Sequence, residues 1–176
     1  MTDASVASRD ARRALLDVYD GALPMVYGYL LSRCGQPAVA EDLTGETFLA
    51  AAAAVRRPDP PPVSVPWLVG VARHKLVDHW RRQGREDRGR AVLGDEEVEE
   101  DPFDACLDAL VARAALEQLA PDHRAALTLR YVDDLPVPEV AALMGRTVHA
   151  TEGLLVRARR ALRRAYGDHP QEVPGD

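Results

Sequence analysis

Apolar side chains recur at spacings of three and four along most of this chain, the period of a helix with one buried face. Leu15, Leu16, Tyr19, Leu23, Val26, Tyr27, Leu30 and Leu31 trace one such face of a long first helix. Pro24 falls inside that run, and its missing N–H predicts a kink or a short break there. A second helix is expected from about Val39 to Val55. The stretch RRPDPPPV at 56–63 ends it, because a cluster of prolines cannot continue a helix. Ser64 or Val65 then opens a third, with Pro66 in the first turn where proline is tolerated. Trp67, Leu68, Val71, Ala72, Leu76, Val77 and Trp80 give it an apolar side to about Arg82.

From Gly84 to Pro102 the pattern fails, giving way to glycines, mixed charge and an acidic run, which reads as a solvated, flexible linker. Helical spacing resumes with Phe103, Leu107, Leu110, Val111, Ala114, Leu116 and Leu119. Pro121 starts a helix through Tyr131, and Pro136 and Pro138 begin a short one ending at Gly145. Thr147 caps a last helix to about Tyr166. No segment of useful length alternates as a strand would. The expected fold is all-α, with two small helical domains at 9–83 and 104–166 joined by a flexible acidic linker at 84–103.

Composition adds limits. The chain has 176 residues, 47% of them hydrophobic and 28% charged, as in a globular protein. Its longest apolar run, Phe48 to Val55, is mostly alanine and far too short to span a membrane. Residues 1–20 lack the apolar stretch of a secretory signal, so a cytoplasmic location without membrane insertion is expected. Cys34 and Cys106 stand alone, with no spacing that suits zinc, and read as small buried or inert thiols.

The net charge of −6 would argue against a nucleic-acid partner, but its distribution argues otherwise. Eight acids and no base lie between Asp95 and Asp108. Seven basic residues lie between Arg73 and Arg90, and five arginines with no acid between Arg157 and Arg164. In residues 135–164 a short helix, a turn holding Gly145, the cap Thr147 and a longer helix follow one another. That is a helix-turn-helix layout, in which the second helix enters the major groove. Its later arginines would supply salt-dependent contacts to phosphate. The plainer reading is a helical hairpin with a basic exposed end. In 65–85, Arg73, Lys75, Arg81, Arg82 and Arg85 form a basic side with Trp80 among them, a combination suited to melted DNA. Against that, Trp67 and Trp80 are natural core residues.

Three stretches in order and register make a resemblance specific: AEDLTGETFL at 40–49, WLVGVARHKLVDHWRR at 67–82 and VRARRAL at 156–162, with LAPDHRAALTLRYVDDLPVPEVA at 119–141 leading the last. Over nearly all of 10–166 the chain resembles the extracytoplasmic-function (ECF) group of bacterial sigma factors. The resemblance implies a transcription initiation factor with no catalysis, metal or cofactor of its own. Its partners would be core RNA polymerase and promoter DNA. An anti-sigma factor is a further partner consistent with the resemblance, since many members are held inactive by one. Glu41, Asp42, Glu46 and Thr47 match the polymerase-docking helix, with Leu43 and Phe48 going mainly into the core. Arg73, Lys75, Trp80, Arg81 and Arg82 fall on the helix that approaches the melted minus-ten element, where Asp78 also matches. Thr147, Val148, His149, Thr151, Glu152 and Arg157 occupy positions that would face the minus-thirty-five element. The linker would span the two domains; from its charge alone, its acids could mimic nucleic acid along the polymerase's basic channel.

Several positions depart from the family pattern. Gly45 stands where Gln is frequent, His74 where Asn is common, and Glu152 and Leu154 where bases are frequent. An acid at 152 repels phosphate but can accept a hydrogen bond from a cytosine amino group. One rival function is a dimeric helix-turn-helix regulator that binds DNA without polymerase, which needs a dimerisation surface. Another is a metal-carboxylate helical bundle built on Glu41, Asp42 and Glu46, which the absence of any Glu-x-x-His pair disfavours.

Overall fold

The computed structural model describes residues 3–88 and 109–167, and every regular element among them is helical. The order is α1 (Asp3–Cys34), α2 (Pro37–Ala54), α3 (Val65–Arg88), α4 (Ala109–Glu117), α5 (Pro121–Leu127), a π turn (Thr128–Val132), α6 (Val137–Met144) and α7 (Val148–Gly167). The chain divides into two compact units, Met1–Asp78 and His79–Asp176. Among the described residues no helix is long and apolar enough to cross a membrane.

In the first unit α1 and α2 pack antiparallel. The Ser8 hydroxyl donates to the Val55 carbonyl at 3.0 Å, and Tyr19 meets Phe48 edge-on with ring centroids 4.8 Å apart. The core stripe of α1 is Leu15, Ala22, Val26, Leu30 and Cys34. Ala22 is fully buried, and its small side chain lets α2 approach closely. That stripe is rotated from the expected one: Leu16 is 75% exposed and Leu23 also faces solvent, while Tyr19 sits at the edge, partly exposed beside Phe48. Alanine-rich α2 offers a narrow partner surface, so only part of the apolar arc on α1 is covered.

The expected break at Pro24 is absent, since α1 continues through it. Pro24 and Asp20 both lie on the exposed side, where the Asp20 carbonyl that loses its donor can be hydrated. A Cβ added at Gly45 would meet nothing within 4 Å, so this glycine answers no packing need of its own unit. Ser64 caps α3, accepting from the Trp67 N–H at 3.3 Å. The helix then runs on to Arg88, past the expected end at Arg82. Gln83, Arg85 and Glu86 are good helix formers, and a single Gly84 does not stop them. The expected linker therefore begins as helix, and residues 89–103 of it, with the acidic run, lie outside the described residues. So do Cys106 and the first turns of the helix expected from Phe103.

In the second unit α7 packs on α4, α5 and α6. Arg124 ties α5 to the end of α4, donating to the Leu116 carbonyl at 2.9 Å and to the Glu117 carbonyl. The helix expected to run to Tyr131 widens after Leu127 into the π turn. There the Asp133 N–H donates to the Thr128 carbonyl at 2.9 Å and the Leu135 N–H to the Leu129 carbonyl at 3.0 Å. The extra residue turns Tyr131 and Val132 outward, and the Tyr131 hydroxyl accepts from Arg159 at 3.4 Å. Gly145 ends α6 with φ 62°, a left-handed cap that glycine adopts without strain. Thr147 then caps α7, accepting from the Ala150 N–H at 3.2 Å.

Burial holds His123 below the ordinary histidine value of 6.5; the nearby Arg157, Arg164 and Arg146 guanidinium groups add to this, and Asp122 partly opposes it. The native state thus binds fewer protons than the unfolded chain just below pH 6.5. Stability from this group is complete above that pH and is lost as pH falls. Denaturant titrations over pH should show that loss in the wild type, and His123→Gln should remove it from the difference curve. Gly145→Ala should lower stability by about 1 kcal/mol through the left-handed backbone, and Thr147→Ala by a similar ~1 kcal/mol through the lost cap. Thermal unfolding monitored by circular dichroism reads both.

Candidate polymerase and nucleic-acid interfaces

The acidic face lies on α2. Its core side is Ala40, Leu43, Thr44, Thr47 and Ala51, which leaves Glu41, Asp42, Gly45, Glu46 and Leu49 turned outward. Glu41 and Asp42 are exposed, and Glu46 pairs with Lys75 of α3 at 3.6 Å. Such a partly exposed pair contributes about 0–1 kcal/mol.

Thr47 is the correction here. It is fully buried and its hydroxyl donates to the Leu43 carbonyl at 2.7 Å, so it supports the helix from within and offers a partner no surface. Leu49 was not anticipated and is 73% exposed beside the acids. Its neighbour Phe48 made the two apolar residues look alike. Only the spacing of the core at 40, 43, 47 and 51 shows that 49 points away.

Along α3, Lys75, Asp78, Arg82 and Arg85 recur at helical spacing on the outer side, with Arg73 and Arg81 half-buried. Trp80 corrects a second expectation. It continues the buried line Leu68, Ala72 and Leu76 at intervals of four and is only 1% exposed, so its ring has no free face on which a base can stack. His74 is exposed and Trp67 half-buried.

At the start of α7, Val148, His149 and Glu152 are exposed, as is Thr147 in the turn. Thr151 is not. It is fully buried, and its hydroxyl donates to the Thr147 carbonyl at 2.9 Å. Thr151, Leu154, Leu155, Ala158 and Leu162 form the core side of the helix. Leu154 is thus a packing residue, and its lack of charge follows from burial. Arg157 is exposed, and its Nη1 lies 3.4 Å from where a Cβ on Gly153 would sit. Glycine thus leaves room for the guanidinium to lie back along the helix toward its N-terminal end. Arg163 and Arg164 are exposed further on. The motif reading also passed over Arg146 in the turn, which donates to Asp122 of α5 at 2.7 Å. Sequence separation hides that contact. Among the described residues no group of three or more His, Cys, Asp or Glu is placed to hold a metal ion.

The sigma-70 region 2 family matches residues 18–86, and the sigma-70 region 4 family matches residues 109–162. The chain is 36% identical over 160 residues to the ECF RNA polymerase sigma factor BldN of Streptomyces coelicolor, covering 86% of this chain and 60% of BldN. It therefore spans less than two thirds of that relative. It is 31% identical over 170 residues to the RNA polymerase sigma factor CarQ of Myxococcus xanthus, covering 93% of this chain and 95% of CarQ. With the ECF RNA polymerase sigma factor SigL of Mycobacterium tuberculosis it shares 30% identity over 174 residues, covering 93% of each. The fold matches that of the sigma factor RpoE in its complex with the anti-sigma factor NepR from Bartonella quintana, with a TM-score of 0.53 at 24% identity over 92% of this chain and 99% of that one. Two sigma-70 regions in order, with likeness along nearly the full length of CarQ and SigL, decide the matter: the chain belongs to the ECF group of RNA polymerase sigma factors.

Proposed function

We propose that this sigma factor directs core RNA polymerase to specific promoters and assists their melting, dividing the work between a domain at 9–83 and a domain at 104–166. Glu41, Asp42 and Glu46 dock α2 on the polymerase. Arg73, Lys75, Arg81 and Arg82 of α3 hold the opened minus-ten strand through its backbone. Val148, His149 and Glu152 meet base edges of the minus-thirty-five element, and Arg157 contacts phosphate. Thr147 and Thr151 act behind them, the first as cap and the second as support.

The observation that carries this reading is the two-sidedness of α7. One side is sealed into the second unit, while its first turns present exposed side chains from a capped N-terminus. That is the end of a recognition helix that meets base edges. The protein acts in the cytoplasm, where its polymerase is, and has no catalysis of its own. An anti-sigma factor is a further partner, as NepR is for RpoE. A regulator working without polymerase is disfavoured, because both halves of the chain match sigma-70 regions.

Co-elution with core polymerase tests the docking assignment. The wild type should bind, and an Asp42→Arg, Glu46→Arg double variant should lose binding while melting at nearly the wild-type temperature. A folded wild type that ignores its own host's polymerase would overturn the reading. For the upstream element, Arg157→Ala should weaken promoter binding about equally across sequences and reduce the salt slope by about 1. Glu152→Gln should instead relax preference at one base pair, by about 1–3 kcal/mol, as read by competition binding on single-position variants.

A further inference from the structure

The turn of the helix-turn-helix is held by a charged contact that the assignment above does not use. Arg146 sits between Gly145, which ends α6, and Thr147, which caps α7. Its N–H donates to the Ala141 carbonyl at 2.9 Å, so its backbone is tied to α6. Its Nη2 donates to Asp122 Oδ2 at 2.7 Å, with the two side chains 29% and 17% exposed. Asp122 lies in the first turn of α5, where a carboxylate also suits the helix dipole, and α5 packs on α7.

A charge-assisted hydrogen bond of this length in a partly desolvated site is stronger than an open surface pair. The Arg146 backbone is tied to α6 and its guanidinium to α5, so one residue in the turn before α7 joins both. A basic residue beside the N-terminus of a recognition helix ordinarily reads as a phosphate contact. Here the carboxylate already holds that guanidinium, so a phosphate would have to displace it.

We propose that Asp122 and Arg146 form a strut that fixes the angle at which α7 meets the duplex, with Arg146 acting as a positioning residue and not as a phosphate contact. The inference rests on the reading of α7 as the helix that enters the upstream element. Positioning matters at this point because base readout depends on placing a few side chains against donors and acceptors in the groove. A small rotation of α7 about its capped end moves Val148, His149 and Glu152 together. The strut opposes that rotation from outside the DNA.

The test uses holoenzyme reconstituted with full-length protein: wild type, Asp122→Asn, Arg146→Gln, the double variant and Arg146→Lys. Each is titrated over a range of salt on a promoter selected by wild-type holoenzyme from a randomised library, and on that promoter with its upstream element scrambled. Each single variant should lose about three- to tenfold of the wild-type preference for the intact element. The double variant should lose no more than a single one, the signature of a coupled pair. Arg146→Lys, which keeps the charge but not the fork, should fall in between. Core-polymerase binding, affinity for the scrambled promoter and the salt slope should all stay at wild-type values.

A drop of about one in the salt slope for Arg146→Gln, with Asp122→Asn neutral or tighter, would make Arg146 a phosphate contact and overturn the strut. Unchanged preference in every variant would also overturn it, while leaving α7 as the reader. A wild type with no upstream preference would remove that reading and the strut with it.

Discussion

A surface helix buries one side, and on each helix to which a partner is proposed here that side is committed to the core. On α2 the core side takes Ala40, Leu43, Thr47 and Ala51, so only the arc through Asp42, Glu46 and Leu49 is left for a partner. On α7 it takes Thr151, Leu154, Leu155 and Ala158, leaving Val148, His149, Glu152 and Arg157. The same rule puts Trp80 inward on α3, in line with Leu76, while Lys75 and Arg82 stay outside. Exposed and core residues are therefore sorted by angular position, and a motif that spans neighbouring residues mixes both kinds.

The two interfaces carry opposite charge for reasons that follow from their proposed partners. Acids concentrate on the outer arc of α2, and arginines on the outer sides of α3 and α7. Where the two meet within the first unit, Glu46 and Lys75 pair across 3.6 Å. The pair is long and only partly enclosed, so it neutralises charge while contributing little to stability. The contact between Asp122 and Arg146 differs in kind. It is shorter and more enclosed, and it joins backbone-tied elements, which makes it a part of the scaffold.

Most of the fold was legible because helical periodicity and proline placement are strong local signals. The starts of α3, α5 and α6, and the cap at Thr147, follow from proline and hydroxyl positions alone. What was not legible depended on partners. The face of α1 differs from the expected one because Leu16 and Leu23 are as apolar as the residues that pack, so residue type does not mark them as exposed. The π turn left no mark in composition, since Thr128 to Val132 reads as ordinary helix. At the sites, most of the charged residues that the motifs single out lie on outer or half-buried faces, whereas the neutral residues Thr47, Trp80 and Thr151 belong to the motifs by position but are buried. Arg146 was missed because its partner lies 24 residues away.

Each compact unit is a continuous stretch of chain, with the boundary falling after Asp78. Within the first unit the α1–α2 pairing is fastened from Ser8–Val55 to Tyr19–Phe48. The antiparallel pair can therefore close as soon as α2 has left the ribosome, while the recognition helix is still unsynthesised. The order of synthesis is thus also an order of assembly: the acidic outer arc of α2, proposed to meet the polymerase, takes shape before α7, proposed to read the upstream element, exists.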